Sequence, residues 1–317
     1  MYDIVSLGEL LIDFTESGVS PAGMRLFEQN AGGAVANLLC AASQCGARTA
    51  FIGKVGLDMH GAFLRQALVD SGVDTHALIE TDEVFTTLAF VALNPNGERE
   101  FSFARKPGAD TQLRPDELDR ELLRHTRVFH TGSLSLTQEP ARSSTYEAID
   151  IAKAAGAVIS YDPNYRASLW NSRDEAVRFM RSLIVTADIM KISDEELPLL
   201  TGETDPVKAA DALLDQGVRI VAVTLGARGA YVRVGSEGRI VPTFPGKVVD
   251  TTGAGDSFFG GFLYRFLSSG KTLKEAAIDD AADYARFGNA TATLCVGRRG
   301  GIPAMPKLDE ILALLGR

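Results

Sequence analysis

Residues Lys247 to Gly261 read KVVDTTGAGDSFFGG, and this stretch carries most of the information about the fold and the site. A β-branched run that contains Asp250 leads into three small residues, Gly253, Ala254 and Gly255, and an apolar segment long enough for a helix follows. Small residues let backbone N–H groups approach a ligand closely, and the first turn of a helix has unpaired donors that favour negative charge. The pattern predicts a loop that feeds a helix N-terminus and holds an anion.

Asp256 is the unusual residue of this stretch. A carboxylate beside an anion site repels a phosphate. Its presence there therefore indicates a chemical role, such as taking a proton from an attacking hydroxyl. A general base next to an anion hole indicates phosphoryl transfer. The alternative is that Asp256 is only the N-cap of the following helix.

Composition excludes several classes of protein. The 317 residues are 45% hydrophobic, which is enough for a sizeable core in one large α/β domain or two smaller ones. A net charge of -9 argues against nucleic acid or an anionic membrane as the main partner, since both need basic patches. We therefore expect no nucleic-acid and no membrane partner.

The three cysteines, Cys40, Cys45 and Cys295, are odd in number and lack CxxC spacing, so neither a disulfide framework nor a zinc site is indicated. The N-terminal run MYDIVSLGELLID has no basic region before its apolar residues, and no stretch of 18 apolar residues occurs. These features predict a cytoplasmic protein without an export or membrane-spanning segment.

Strand and helix patterns alternate along the chain, which predicts a mostly parallel sheet flanked by helices. Two hairpins interrupt the alternation, one with the turn Asn94–Gly97 and one with Gly235 and Gly238 in its turn. Strands are predicted at 4–7, 49–53, 128–130, 157–161, 189–192 and 220–224, and the hairpins at 84–103 and 231–243. One helix is predicted to be opened by the small residues before Asn37 and closed by Gly46, and others near 59–71, 116–124, 139–155, 173–185, 205–216, 258–267 and 273–294.

Polar residues follow several of these elements. Gly32 and Gly33 allow close approach of a ligand to the backbone, and Asn37 presents an amide one turn into a helix; the alternative is tight helix packing. Ligands of an open parallel sheet lie beyond the C-terminal strand ends. The stretches at these ends are 162–166 (DPNYR), 191–196 (KISDEE) and 224–229 (TLGARG), with a plain turn, a capping box and a hairpin connection as their respective alternatives.

Two of these motifs, DTTGAGD at 250–256 and AGGAVAN at 31–37, resemble the two signatures of the ribokinase-like (PfkB-type) sugar kinases. The similarity runs nearly end to end, and within the family 101–110 (FSFARKPGAD) and 162–166 look most like fructokinases. The 2-keto-3-deoxygluconate kinases are a close second. The resemblance implies one ribokinase-like three-layer α/β/α domain over residues 1–317, with a small β-sheet lid from segments near 10–28 and 85–106.

The resemblance also implies roles for individual residues. ATP lies along the C-terminal half and the sugar under the lid, with Asp256 as base and the backbone of Gly253, Ala254 and Gly255 as anion hole. The implied sugar contacts are Asp13, Gly32, Gly33, Asn37, Arg105 and Arg166. The implied nucleotide contacts are Lys191, Thr224, Gly226, Gly229 and Asn289.

Metal ions follow from the same resemblance. Glu196 helps to place Mg²⁺ through water, although Ser193 stands where the family usually has asparagine, a substitution often seen in fructokinases. Asp250 and Thr252 match positions whose oxygens line a K⁺ site in relatives. The cofactors expected are therefore ATP and Mg²⁺, with K⁺ as a weaker expectation. The oligomeric state stays open, a homodimer being one option.

The acceptor is expected to be D-fructose. Arg105 and Arg166 suit either a carboxylate, as in 2-keto-3-deoxygluconate, or single hydrogen bonds to a ketose. Asp13 offers an acceptor that a ketose can use and that repels a sugar acid, and the lid sequence around Arg105 resembles that of fructokinases. A non-catalytic sugar- or nucleotide-binding regulator is the alternative from another class, and the presence of Asp256 argues against it.

Overall fold

The computed structural model describes residues 1–93 and 99–316 of the chain. Strands and helices alternate along most of these residues, as the sequence predicts. The strands are β1 Tyr2–Leu7, β2 Leu11–Val19, β3 Arg25–Gly32, β4 Thr49–Gly56, β5 Leu78–Thr81, β6 Leu88–Leu93, β7 Arg99–Ala104, β8 Thr126–Thr131, β9 Val158–Tyr161, β10 Ile189–Ser193, β11 Ile220–Thr224, β12 Ala230–Val234 and β13 Glu237–Val241. The helices are α1 Ala34–Gln44, α2 Met59–Asp70, α3 Arg120–Arg124, α4 Ala141–Ala154, α5 Arg173–Ile184, α6 Leu197–Leu200, α7 Pro206–Leu214, α8 Ala254–Ser268, α9 Ile278–Cys295 and α10 Leu308–Leu315.

Within the described ranges, nine strands form one sheet in the order β13-β12-β11-β10-β9-β8-β1-β4-β5. Neighbouring strands are parallel from β11 through β5, and only the β11–β12 and β12–β13 pairs are antiparallel. This confirms the predicted mostly parallel sheet. Because the parallel strands all end at the same edge, the residues that follow β9, β10 and β11 are brought side by side.

The large sheet is buried on both faces. Ile4 and Val5, neighbours in β1, belong to two different apolar clusters, as expected for a strand with helices on either side. One cluster includes Leu38 of α1 and Phe259 of α8, and the other includes Met180 of α5. The result is the three-layer α/β/α arrangement that the sequence predicts.

A second sheet of four strands, in the order β3-β2-β6-β7, is formed by described residues within 11–32, 88–93 and 99–104. It is drawn from the two segments predicted to supply a lid, and β6 and β7 pair antiparallel as the first hairpin requires. The predicted turn Asn94–Gly97 lies outside the described residues. β2 runs directly on from the end of β1, so the second sheet begins at the edge where the parallel strands end.

Two helix starts and one turn differ from the sequence prediction. The helix α8 begins at Ala254, four residues earlier than predicted, because the left-handed turn ends at the N-cap Gly253 and Ala254 to Asp256 form the first helical turn. The helix α9 begins at Ile278, since Asp280 accepts a hydrogen bond from the backbone N–H of Ala277 (2.9 Å) and so starts the helix there. Gly238 lies within β13, and not in the turn, because it pairs with Arg233 of β12. Glycine suits this position, since a Cβ here would lie 2.0 Å from the Tyr231 hydroxyl.

No helix of the residues described by the structure is long and apolar enough to cross a membrane.

Candidate active site

Asp256 lies in the first turn of α8, at the edge where the parallel strands end. The N-cap of this helix is Gly253, whose φ of 74° is in the left-handed region that glycine tolerates best. The Asp256 side chain is 8% exposed and accepts two hydrogen bonds, from Asn37 Nδ2 to Oδ2 (2.8 Å) and from Asn164 Nδ2 to Oδ1 (3.0 Å). Asp256 is therefore not the N-cap, and its carboxylate is held by amides from two distant parts of the chain.

Two cavities meet at Asp256. The larger, of about 420 Å³, and the smaller, of about 180 Å³, share five lining residues, and we call them the larger cleft and the smaller cavity. The shared residues are Asn164, Arg166, Thr251, Gly253 and Asp256. A carboxylate at this junction can contact groups bound on either side of it.

The larger cleft contains every side chain predicted to contact a nucleotide. Thr224 ends β11, and Gly226 and Gly229 follow it with φ values of 56° and 94°. A Cβ on Gly229 would lie 2.1 Å from the carbonyl oxygen of Val241, so glycine is required there. The predicted residues that line the cleft are Lys191, Thr224, Gly226, Gly229 and Asn289, together with Gly253, Ala254 and Gly255.

The N-terminus of α8 borders both cavities, and unpaired N–H groups together with the helix dipole make this end favourable for an anion. Gly255 has a second reason to be small. A Cβ there would lie 2.9 Å from the Lys191 ammonium nitrogen. The positive end of the helix and the ammonium group of Lys191 thus lie close together, an arrangement suited to a ligand with several negative charges.

Lys191 is buried and pairs with Asp162 (Nζ to Oδ2, 2.9 Å), which also is buried. Burial raises the pKa of Asp162 to about 6, against the opposing effect of the ammonium group. The pKa of Lys191 is raised in spite of burial, because Asp162 and Glu196 face it. The ammonium group therefore stays charged at the base of the larger cleft.

Glu196 is an acceptor of three hydrogen bonds. The backbone N–H of Tyr165 donates to Oε1 (2.7 Å), and the N–H and hydroxyl of Ser193 donate to Oε2 (2.9 and 2.7 Å). Burial opposes ionisation, but Lys191 and these donors outweigh it and lower the pKa of Glu196. The capping box expected as an alternative is only half formed, because the Ser193 hydroxyl donates to Glu196 and does not accept from its backbone N–H, and Glu196 itself is the N-cap of α6. The bond to Tyr165 is one that such a motif does not require.

The smaller cavity lies between the second sheet, α1 and the loop after β9. Of the residues predicted to contact sugar, Asp13, Gly33, Asn37 and Arg166 line it. Gly32 does not, but a Cβ on Gly32 would lie 2.1 Å from Asp13 Oδ2, so glycine leaves room for that carboxylate.

Burial raises the pKa of Asp13 to about 6, with Arg166 opposing and Asp256 reinforcing the shift. The same cause, burial, raises the pKa of Asp256 above its ordinary value, against the opposing effects of Asn37, Lys191, Arg166 and Asn164.

Arg105 lies outside both cavities. Its side chain is 3% exposed, and its guanidinium donates to Asp110, to the Thr137 hydroxyl (2.8 Å) and to the Leu134 carbonyl (2.9 Å). Because Leu134 lines the smaller cavity, Arg105 supports the cavity wall from behind. A direct contact between Arg105 and a sugar stays a prediction.

Asp250 and Thr252 lie just before the glycine turn. Asp250 Oδ1 accepts from the N–H and hydroxyl of Thr252 (2.9 and 2.8 Å), and Oδ2 accepts from the N–H of Gly300 (3.0 Å). Among residues 1–93 and 99–316, no group of three or more His, Cys, Asp or Glu side chains is arranged to hold a metal ion.

Comparison with known proteins identifies the family. Residues 1–308 match the model of the pfkB family carbohydrate kinases. The chain belongs to this family. A probable fructokinase-2 of Arabidopsis thaliana is 44% identical over 315 residues, which are 98% of this chain and 95% of that protein.

Solved structures of family members share the fold. A fructokinase from Xylella fastidiosa with bound ATP superposes with a TM-score of 0.90 at 33% identity, covering 100% of this chain and 99% of that one. A double mutant of a Vibrio cholerae O395 fructokinase, in a form with fructose, ADP and a potassium ion bound, gives 0.88 at 33% identity over 99% and 98% of the two chains. The fold and family predicted from the sequence are confirmed.

Three residues of this pfkB-family kinase were not singled out by sequence reasoning. Asn164 lines both cavities and contacts Asp256, and its position in the polar stretch 162–166 was an available signal. Glu9 and Phe103 line the smaller cavity. The pair Gly8-Glu9, directly after β1, was a possible signal for Glu9, whereas Phe103 lies in a strand whose orientation only the fold decides.

Proposed function

We propose that this carbohydrate kinase is a fructokinase, which transfers the γ-phosphoryl group of ATP to a hydroxyl of D-fructose. The observation that carries the proposal is the position of Asp256. It is a buried carboxylate in the first turn of a helix, at the junction of a larger cleft and a smaller cavity. Two bound reactants, one in each cavity, would meet beside it.

The larger cleft suits ATP. Lys191 and the N-terminal amides of α8 face a region where the charge of the phosphates would lie, and such preorganised positive groups stabilise charge on the transferred group. Thr224, Gly226, Gly229 and Asn289 would contact the rest of the nucleotide. The 33% identical Xylella fastidiosa fructokinase with bound ATP supports this role for the cleft.

Asp256 would act as the base. Its two oxygens each receive one amide hydrogen bond, so the carboxylate is fixed in place while an oxygen lone pair stays available for the proton of a hydroxyl. Burial raises the pKa of Asp256. A raised pKa makes the carboxylate a stronger base, and its deprotonated form is required, so kcat should fall as the pH decreases through that pKa.

The smaller cavity favours a neutral ketose over a sugar acid. A carboxylate clamp would need two guanidinium groups, and of the two candidate arginines only Arg166 lines the cavity. Arg105 is occupied by Asp110 and Thr137. Asp13 and Glu9 line the cavity as well, and two acidic side chains repel a carboxylate but can accept hydrogen bonds from sugar hydroxyls.

The donor set fits the expected metal ions. Mg²⁺ is usually held by one or two carboxylates together with substrate phosphates, and the larger cleft offers Asp194, Glu195 and Glu196 without a dedicated cage. When bound with ATP, Mg²⁺ neutralises phosphate charge. The oxygens of Asp250 and Thr252 are of the type that suits K⁺, and the potassium-bound form of the related fructokinase supports this assignment.

We further propose that the chain is one kinase domain in which the four-stranded sheet acts as the lid over the sugar. Leu11 and Thr15 of β2, Val91 of β6 and Phe103 of β7 line the smaller cavity from this sheet. A lid in contact with the sugar would exclude water, which otherwise competes as a phosphoryl acceptor. A homodimer stays a prediction, which analytical ultracentrifugation of the purified chain checks.

A panel of sugars with MgATP, scored by ADP release, tests the proposal. We expect D-fructose to give the highest kcat/KM and EDTA to abolish turnover. A preference for 2-keto-3-deoxygluconate of more than about tenfold, roughly 1.4 kcal/mol of transition-state binding, would overturn the fructose assignment. ADP release with none of the sugars, despite measurable ATP binding, would instead support the regulator alternative.

A further inference from the structure

Asn164 occupies an unusual position between the two cavities. It follows β9 in the loop from Asp162 to Arg166, its side chain is 8% exposed, and its Nδ2 donates to Asp256 Oδ1 at 3.0 Å. Asn37 donates to the other oxygen of the same carboxylate. Since each oxygen receives one donor from a different element, neither amide alone can fix the orientation of the Asp256 carboxylate.

The backbone of Asn164 is held in an uncommon conformation. Its φ is 45°, and within residues 1–93 and 99–316 it is the only non-glycine residue with a positive φ. Asparagine tolerates this region better than most residues, yet the conformation costs free energy and is usually kept where the surroundings require it. The positive φ at Asn164 therefore points to a role for this side chain in its present position.

The side-chain hydrogen bonds of Asn164 also indicate a role for its amide group. Its Oδ1 atom is buried and has no hydrogen-bond partner, whereas Nδ2 contacts the carboxylate. A buried amide with a purely structural role is normally satisfied at both ends, because an unpaired buried oxygen costs about 1 to 3 kcal/mol. The bond to Asp256 is the contact that accounts for the orientation of the amide.

The loop that presents Asn164 is fixed from the side of the larger cleft. Asp162 pairs with Lys191 and accepts a hydrogen bond from the backbone N–H of Asn164 (3.2 Å). The N–H of Tyr165 donates to Glu196 (2.7 Å). Two charged residues of the larger cleft thus hold the loop on both sides of Asn164.

We propose that Asn164 is a positioning residue for the base: it orients the Asp256 carboxylate toward the sugar hydroxyl and keeps it ionised, while Lys191 and Glu196 hold its loop in place. This inference rests on the proposed kinase function. A hydrogen bond to a carboxylate favours the charged form, so the loss of Asn164 Nδ2 should raise the pKa of Asp256. The charged and titratable groups around Asp256 are Lys191, Arg166, Asp13, Asp162 and Cys295, and none of them is changed in the test.

The test uses two variants with opposite chemistry. Asn164→Gly accepts the positive φ and removes the donor, and Asn164→Asp keeps the shape but replaces the donor with an acceptor. Asn171→Gly, at an exposed asparagine outside both cavities, is the matched control. For each protein, kcat and both KM values are measured from pH 5 to 9 with the sugar that the wild type phosphorylates best.

We expect Asn164→Gly to lower kcat at pH 7 by about 10- to 100-fold, with both KM values within about threefold of wild type. The acidic limb of the kcat profile should move to higher pH by about half a unit to one unit, and further in Asn164→Asp, where two carboxylates would face each other. In an Asp256→Asn background, Asn164→Gly should cost little more, because the two residues act as a unit.

A loss of kcat that is equal at every pH, or a loss confined to KM, would overturn the proposal and assign Asn164 to structure or to ligand binding. If Asn164→Gly does not fold, the isosteric Asn164→Asp variant decides on the same criterion. A wild type that prefers another sugar to fructose would contradict the fructose assignment alone, since the pH profile is measured with whichever sugar is turned over.

Discussion

The two cavities that meet at Asp256 shift the pKa values of their acidic residues in opposite directions. In the larger cleft, Glu196 accepts three hydrogen bonds and faces Lys191, and its pKa is lowered although burial acts against this. In the smaller cavity, burial raises the pKa of Asp13 to about 6 and that of Glu9 to about 7. Hydrogen-bond donors and Lys191 thus keep the carboxylate of Glu196 negatively charged in the larger cleft, whereas the carboxyl groups of Asp13 and Glu9 are more readily protonated in the smaller cavity.

The cavities also differ in how the chain builds them. The larger cleft is lined mainly by residues that follow β10 and β11 and by the first turn of α8, which are short motifs, and Asn289 of α9 and the loop after β9 complete it. The smaller cavity combines β2, the start of α1, β6, β7 and the loop after β9. We infer that nucleotide contacts depend on local backbone geometry, while sugar contacts depend on how distant elements pack.

The largest effect should come from Asp256, one of the five residues that line both cavities. Asp256→Asn should lower kcat by about 10² to 10⁴, because an amide cannot take the hydroxyl proton, while both KM values change little since the two side chains are nearly isosteric. Steady-state kinetics of the folded variant check this. A variant that retains more than about a tenth of the wild-type kcat would show that Asp256 is not the base.

A matched pair of variants tests whether the two cavities bind different substrates. Asp13→Asn should raise the KM for fructose by about 10- to 100-fold and leave the KM for MgATP within about threefold, because a charged acceptor is lost from the smaller cavity alone. Thr224→Val should do the reverse more weakly, raising the KM for MgATP by about threefold to tenfold. If both variants changed both constants equally, the two cavities could not be assigned to separate ligands.

A K⁺ titration examines the segment just before the glycine turn. Asp250 and Thr252 would hold the ion and so order the turn that borders both cavities. We expect activity in K⁺ to exceed activity in tetramethylammonium, at equal ionic strength, by about threefold or more, and Asp250→Asn to remove the difference. A flat response of the wild-type enzyme would withdraw the K⁺ assignment and leave the rest of the site unchanged.

The smallest effect concerns stability and the raised pKa of Glu9. Glu9 is buried, with Oε1 accepting from the N–H of Ala34 (2.7 Å) and Oε2 unpaired. Because its pKa is raised from 4.5 to about 7 on folding, the folded state binds more protons than the unfolded state between these values. The contribution of Glu9 to stability therefore decreases as the pH rises through this window.

Glu9→Gln removes this dependence. From pH 5 to pH 8 the free energy of unfolding of the variant should rise relative to that of the wild type by on the order of 1 to 3 kcal/mol, and its Tm should rise accordingly. Differential scanning calorimetry at both pH values measures it, with the exposed Glu83→Gln as control. A Tm difference that does not change with pH would mean that Glu9 is ionised in the fold throughout this range.

The sequence by itself determined the class of fold, the family and the glycine turn that leads into α8. Strand and helix periods, the small residues 253–255 and the acid at 256 are local features, and the sequence reveals them because a repeating pattern and a glycine turn depend on adjacent residues. All residues predicted for the larger cleft do line it, most of them because they lie in such short motifs.

The tertiary structure decided which groups the long arginine side chains and the asparagine amides contact. The two arginines look equivalent in sequence, but packing turns Arg105 toward Asp110 and leaves Arg166 at the junction of the cavities. Asn37 and Asn164 meet on one carboxylate although they are separated from it by 219 and 92 residues. Contacts of this range depend on the register of whole elements against each other, which no short stretch of sequence contains, and they place Asp256 between the two cavities.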